Sequence, residues 1–287
     1  MRQQIVITYY HHSGFSVNNG DVLLIFDYWL GERHELPEED RITREFLQKF
    51  RKTFVFISHA HPDHLDPEVF TWKDWADVSY IVSYDMPVGT RGRRMSPGDR
   101  LTLLADLEVR AYGSTDLGVS YAVDFAGFHL FHAGDLNFWH WRDESTIAEI
   151  EEADRQFRDC VTPIEQEKLD VCFFPVDPRQ GSLYDAGANY FIMTVRPRLL
   201  IPMHFWGRGD LMEEFARRSR TAETEIAALT RPGEQMLLTL AEDGVLEVTT
   251  SIPKDMLERL QSAPAEGELP GEENPFTETD LPVNLDE

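Results

Sequence analysis

Only two cysteines, Cys160 and Cys172, occur in the 287 residues. So few exclude a disulfide framework, and Cys172, inside the apolar run Val171–Phe174, reads as a small buried hydrophobe. Long apolar runs are missing as well. None approaches the ~20 residues of a membrane span, and the opening MRQQIVITYY lacks the apolar core of a signal peptide. These absences point to a cytoplasmic protein with no membrane partner. Positive charge is also scarce: 27 Lys and Arg stand against 51 Asp and Glu, a formal net charge of −24. A surface of that sign repels polyanions and disfavours nucleic acid as a partner. The one dense basic stretch, Thr90-Arg-Gly-Arg-Arg94 with Arg100, reads as a charged turn, with phosphate binding as the alternative.

What is present is an ordinary globular composition that alternates strands and helices. Strands are expected at Ile5–Tyr9, Asp21–Asp27, Phe54–Ile57, Ser79–Ser83, Leu101–Leu104, Leu107–Tyr112, Val119–Phe125, Phe128–His132, Val171–Pro175, Arg198–Met203, Gln235–Leu240 and Val245–Thr249. Ala126-Gly127 suits a hairpin turn. Helical spacing marks Arg41–Lys52, Glu144–Leu169, Gly187–Val195, a segment from Asp210 and another after Pro253. Two β-rich halves, each with its own helices, predict an α/β fold, a four-layer αββα sandwich, over residues 1–263. Residues 264–287 hold eight acidic residues and no basic one, and are expected to form an acidic flexible tail.

The chemistry concentrates in SHAHPDHLD, Ser58–Asp66, where three histidines and two aspartates follow the apolar run Thr53–Ile57. Open α/β sheets bind their ligands at the C-terminal ends of strands. Neutral imidazoles and carboxylates converging there make a metal site. The H-x-H spacing puts His59 and His61 on one side of an extended segment, while Pro62 turns the chain so that Asp63 and His64 face a second point. Three later strand ends carry similar residues: Asp135 after Gly134, Asp177 with Arg179 beyond it, and His204 in Pro-Met-His. Four strand ends delivering His or Asp form one constellation.

H-x-H-x-D-H after a strand, then HAGD, then PMH, resembles the metallo-β-lactamase superfamily, and most closely its branch of ascorbate-6-phosphate lactonase-like and related metal-dependent hydrolases. The resemblance spans about Ile5–Phe205 and implies one or two divalent ions, zinc first, with manganese or iron as alternatives. His59 and His61 match ligands of a first metal. Asp63, His64 and His204 match those of a second, and Asp135 matches the carboxylate that bridges both. Asp27 matches a residue that buttresses the histidine loop. One departure stands out: Gly113 or Ser114 occupies the place where the family supplies a third histidine to the first metal. Asp116, His132 and His140 are the candidates to compensate. Firm occupancy is therefore expected only at the second position.

The resemblance implies metal-activated water attacking a small ester, lactone or phosphorylated substrate, with Asp63 and Asp135 as catalytic residues. Arg179, His12 and Trp139 are the candidates for substrate contact. The alternatives are a nuclease or phosphodiesterase of the tRNA-processing type, and a non-hydrolytic metal-binding scaffold. The acidic composition and the single basic cluster weigh against the first.

Overall fold

The computed structural model describes residues 3–250 and 252. The acidic tail and the helix expected after Pro253 lie outside the described residues. In chain order the first strands are β1 (Gln3–Tyr9), β2 (Phe15–Asn18), β3 (Val22–Phe26), β4 (Lys52–Ile57), β5 (Val78–Ser83) and β6 (Arg93–Met95). Then come β7 (Arg100–Leu104), β8 (Leu107–Gly113), β9 (Val119–Phe125), β10 (Phe128–His132), β11 (Val171–Pro175), β12 (Leu199–Met203) and β13 (Glu225–Ile226), and finally β14 (Gln235–Leu240) and β15 (Leu246–Thr249). Eight strands form one sheet in the order β15-β14-β1-β2-β3-β4-β5-β6, and seven form a second in the order β13-β12-β11-β10-β9-β8-β7.

Strand periodicity builds the layers. Successive side chains of β3 and β4 point to opposite faces. Leu24, Phe26, Phe54 and Phe56 enter the large core that includes the second sheet, whereas Leu23, Ile25, Val55 and Ile57 pack outward against Leu47, Phe50 and Trp72. Those outer residues come from the short helix α1 (Arg44–Leu47) with the turn after it, and from a 3₁₀ segment, Pro67–Asp74. The helices α2 (Ile147–Val161), α3 (Ala186–Val195) and α4 (Gly209–Ser219) supply Phe157, Phe191 and Phe215 to the core of the second sheet. Phe191 stacks on Phe131 with ring centroids 5.6 Å apart. The result is the αββα sandwich, the metallo-β-lactamase arrangement of sheets and helices.

Two expected helices come out shorter. The segment expected over Arg41–Lys52 is helical only at Arg44–Leu47, because Thr43 caps it and the chain from Lys52 is drawn into the sheet, where Arg51 N donates to Asp21 O at 2.8 Å. The middle helix ends at Val161, two residues before Pro163, whose ring closes off the ladder. Strands β2 and β6, absent from the expected set, are four and three residues long. The Ala126-Gly127 turn has φ of 51° and 80°, the left-handed pair that a two-residue hairpin requires. Arg94, in the basic stretch, donates to the carbonyls of Met86 and Pro87 and so braces the chain there.

The sheets matter for function because each contains a run of neighbouring parallel strands, β3-β4-β5 and β10-β11-β12. Their C-terminal ends lie on one side and carry Asp27, Ser58–His64, Asp135, Asp177 and His204. Gly118 lets the loop before β9 pass directly over the histidine loop. Its φ is +79°, and a Cβ there would sit 2.0 Å from Ser58 O and 2.5 Å from His59 Cβ. We predict that Gly118→Ala destabilises the fold by at least ~2 kcal/mol through this overlap and the strained φ, read as a lower urea midpoint. An unchanged midpoint would disprove the close-approach argument.

Candidate metal centre

The site is built outward from Asp27. This buried carboxylate follows β3 at a φ of 42°, in the left-handed region. It accepts from Ser58 N at 2.8 Å, from Ser58 Oγ at 2.6 Å and from His64 Nδ1 at 2.8 Å. The Ser58 hydroxyl, donating its hydrogen bond to Asp27, accepts from His59 Nδ1 at 2.9 Å. On the other sheet, Asp177 Oδ2 accepts from His204 Nδ1 at 3.0 Å. With the Nδ1 atoms engaged, the Nε2 atoms of His64 and His204 have no aligned partner among the described residues and can turn to an ion, as can that of His59 beside His61 Nδ1, the usual arrangement behind metal-binding imidazoles.

These nitrogens converge on carboxylate oxygens. His64 Nε2 is 3.0 Å and His204 Nε2 3.4 Å from Asp135 Oδ1, and His59 Nε2 is 3.4 Å from Asp135 Oδ2. Asp63 Oδ2 lies 3.9 Å from His204 Nε2 and 3.3 Å from His12 Nε2. His61 Nδ1 is 3.0 Å from His59 Nε2 and 3.7 Å from Asp116 Oδ2. Yet His12 Nε2, His64 Nε2, His204 Nε2 and Asp135 Oδ1 are buried atoms without an aligned hydrogen-bond partner. Leaving such atoms unpaired costs about 1–3 kcal/mol each. The spacing has another reading. Ligands about 2.0–2.1 Å from a tetrahedral zinc ion are about 3.3 Å from one another, so these contacts match the edges of a coordination shell. Among the described residues, three groups have donor atoms within 4.8 Å of one another: His12, Asp63, His64 and His204; His59, His64 and Asp135; His61, Asp116 and Asp135. The donor set fits a divalent ion.

The electrostatics agree. Burial would raise the Asp135 carboxyl, but His64 and His204 overcome it and hold the group well below the usual carboxylate range. Asp63 is lowered likewise, against burial, by His12 and His64. Asp177 is pushed down to about 2, its burial outweighed by hydrogen bonds from His204 and Arg179. His12 goes the other way, to about 3, because burial and the neighbouring His204 disfavour its charge more than Asp63 favours it. His64 would be lowered by burial, but the carboxylates of Asp135 and Asp27 raise it well above the ordinary histidine value. The same two carboxylates would favour a cation at this position.

Of the three residues weighed against the missing histidine, Asp116 is the one within the cluster. His132 stacks on Phe26 with ring centroids 5.1 Å apart and donates Nε2 to Ser13 O at 3.0 Å. His140 lies between Leu183 O and Arg142 N, at 3.2 Å from each. A cavity of about 380 Å³ opens beside the cluster. His61, Asp63, Asp116, Asp135 and His204 form its floor, and Thr115, Trp139, Trp141 and Arg179 its walls. Trp139 donates Nε1 to Asp135 O at 2.8 Å and stacks on Trp141 at 5.7 Å. Arg179 is paired with Asp177 through Nε and one Nη, and lies 4.4 Å over the Trp206 ring. His12 does not line this cavity: it is 2% exposed, behind the cluster, 4.5 Å from the Trp206 ring. Sequence reasoning noted Asp177 at a strand end and gave it no role. Its place one strand over from His204 was the available signal.

Facing sheets between helices, with a His/Asp cluster that could hold a metal ion at the strand ends where they meet, define a metallo-β-lactamase fold with a candidate metal centre. Known proteins share that fold. A UPF0173 metal-dependent hydrolase from Pyrobaculum arsenaticum is 23% identical over 254 residues, spanning 81% of this chain and 99% of the relative. Igni18, a metallo hydrolase from the archaeon Ignicoccus hospitalis, superposes with a TM-score of 0.59 at 20% identity, over 82% of this chain and 98% of its own. The metallo-β-lactamase fold protein YhfI from Bacillus subtilis gives 0.53 at 12% identity, over 82% and 99%. No family model matches the chain. The ascorbate-6-phosphate lactonase branch is not singled out by these relatives.

A raised folded-state pKa stabilises the fold at pH below the unfolded value, and that stabilisation is lost as pH rises through the folded value. For His64 the loss therefore falls on the alkaline side of ~6.5. We expect the melting temperature of chelator-stripped protein to fall between neutral and alkaline pH, and zinc to abolish the decline by replacing the proton. Identical profiles with and without zinc would contradict this account.

Proposed function

We propose that this metallo-β-lactamase-fold hydrolase cleaves an ester, lactone or phosphorylated bond in a small anionic molecule, using metal-activated water. The observation that carries the reading is the convergence of His204 Nε2 and Asp135 Oδ1 at the floor of a solvent-open cavity with His64 Nε2 directly behind them, all three buried atoms without an aligned hydrogen-bond partner among the described residues. His59 and His61, with Asp135, would hold one ion, and Asp63, His64 and His204, again with Asp135, the other. A bound divalent ion, zinc or else manganese or iron, supplies Lewis acidity, lowering the pKa of water to about 7 and polarising the scissile oxygen.

The chain's own residues supply the rest. Asp63 directs Oδ2 into the cluster and is 22% exposed in its side chain, which leaves its other oxygen to orient the attacking water and take its proton. Asp177 and Ser58 lock the His204 and His59 rings. Arg179 is half exposed. Its pairing with Asp177 leaves the second Nη of the fork for a carboxylate or phosphate on the substrate. Trp139 and Trp141 provide an apolar wall. A single guanidinium at the cavity fits one anionic group and offers no track for a polynucleotide.

The test pairs elemental analysis of protein purified without added metal with a panel of esters, lactones and phosphorylated compounds. Asp135→Asn is expected to lower metal content and to reduce kcat/KM by at least ~10³-fold, as loss of a charged group at the reacting centre does. Unchanged metal content would refute its assignment. Arg179→Ala is expected to raise KM about 10–100-fold for an anionic substrate, matching ~1.5–3 kcal/mol for a charged hydrogen bond. The same substitution should leave a neutral analogue little affected. Equal losses on both would mean that Arg179 does not read charge.

A further inference from the structure

The two ends of the cluster are unequal. Where a third histidine is missing, near Gly113, the chain offers the Asp116 carboxylate, 41% exposed in its side chain and 3.7 Å from the half-exposed His61. At the other end it offers one imidazole more than the family pattern calls for. His12 has no exposed side-chain surface, and its Nε2 is 3.3 Å from Asp63 Oδ2. Neither of its ring nitrogens has an aligned hydrogen-bond partner among the described residues. A purely structural histidine buried among Trp29, Trp206 and His204 would be expected to bond at least one nitrogen. His12 is also held in place by an uncommon backbone. Its φ is 55°, His204 at 62° donates its N–H to His12 O at 3.2 Å, and Gly14 follows where a Cβ would be 2.9 Å from His11 O. Strain retained at such a position marks a site that needs it.

We propose that His12 is a further protein ligand of the ion that Asp63, His64 and His204 would hold beside the bridging Asp135, so that this position is closed by protein ligands. The other position, at His59, His61 and Asp135 with Asp116 beside them, is then the open and exchangeable one facing the cavity. Sites closed by protein ligands are the structural kind, and sites that keep a place for water are the catalytic kind. His61, Asp116 and Asp135 all line the cavity, whereas the closed position reaches it only through Asp63 and His204, with His12 and His64 behind. The proposal rests on reading the cluster as a metal centre.

The experiment titrates zinc into stripped full-length protein against a chromophoric chelator, for the wild type, His12→Ala and His61→Ala. Two binding classes are expected in the wild type. His12→Ala should weaken the tight class by at least ~100-fold, beyond the 10–100-fold typical of an outer-shell partner. His61→Ala should weaken only the loose class. X-ray absorption of wild-type protein carrying one equivalent of zinc gives a readout that needs no variant, with three imidazoles in the first coordination sphere expected. Two imidazoles, or an unchanged tight class in folded His12→Ala, would overturn the role of His12 and leave the metal centre intact. No zinc binding by the wild type would overturn both.

Discussion

Several carboxylates and imidazoles are brought together where water cannot screen them, and they must be neutralised in place. Asp27 is the first fixed point of that arrangement. Its two oxygens accept three hydrogen bonds, and through them the end of β3 sets the position of the loop after β4. Remove that carboxylate and both the Ser58 backbone and the His64 ring lose their reference. An unpaired ion of this kind would be costly to bury, and the surrounding imidazoles are what make it tolerable. The same logic repeats at Asp177 for the second sheet, with Arg179 completing the charge balance.

Those anchors explain the uncommon backbone found around the site. His12, Asp27, His204 and Trp206 have φ between 42° and 62°, and all lie within the loops at the strand ends. Ordinary side chains avoid that region, so each must be held by its surroundings. Their grouping fits the use of the loops, which must turn sharply from a strand to aim a side chain inward. Rigid strands below and fixed turns above are what keep donor atoms within the few tenths of an ångström that coordination demands.

Much of this could be read from residues alone. The histidine loop announced itself by composition and by following an apolar strand, and Gly134 before Asp135 signalled a sharp turn aimed at the site. Most strands of both sheets were visible through their apolar runs, whereas β2, β6 and β13 are too short to show a period. The helix over Arg41–Lys52 was overestimated because Phe46 and Phe50 keep helical spacing even though the backbone leaves the helix between them. His12 was assigned to the substrate because its loop lies near the cleft. Nothing local reveals that its ring turns away from the cavity toward Asp63, since that depends on a contact with His204, almost two hundred positions along the chain. Asp116 was a candidate among three, and only the packing of His132 and His140 against backbone groups singles it out.

Donors come from both β-layers: His59, His61, Asp63 and His64 from one, Asp135 and His204 from the other. A bound ion would thus be a rivet through the sandwich at its functional end, far from the opposite end, where Arg198 before β12 donates to Gly244 O in the β14–β15 turn. Ion supply would then set how readily the layers part, by mass action on the native form. The availability of one trace element would govern lifetime as well as turnover, so that a starved cell would hold fewer copies of the protein rather than an idle stock.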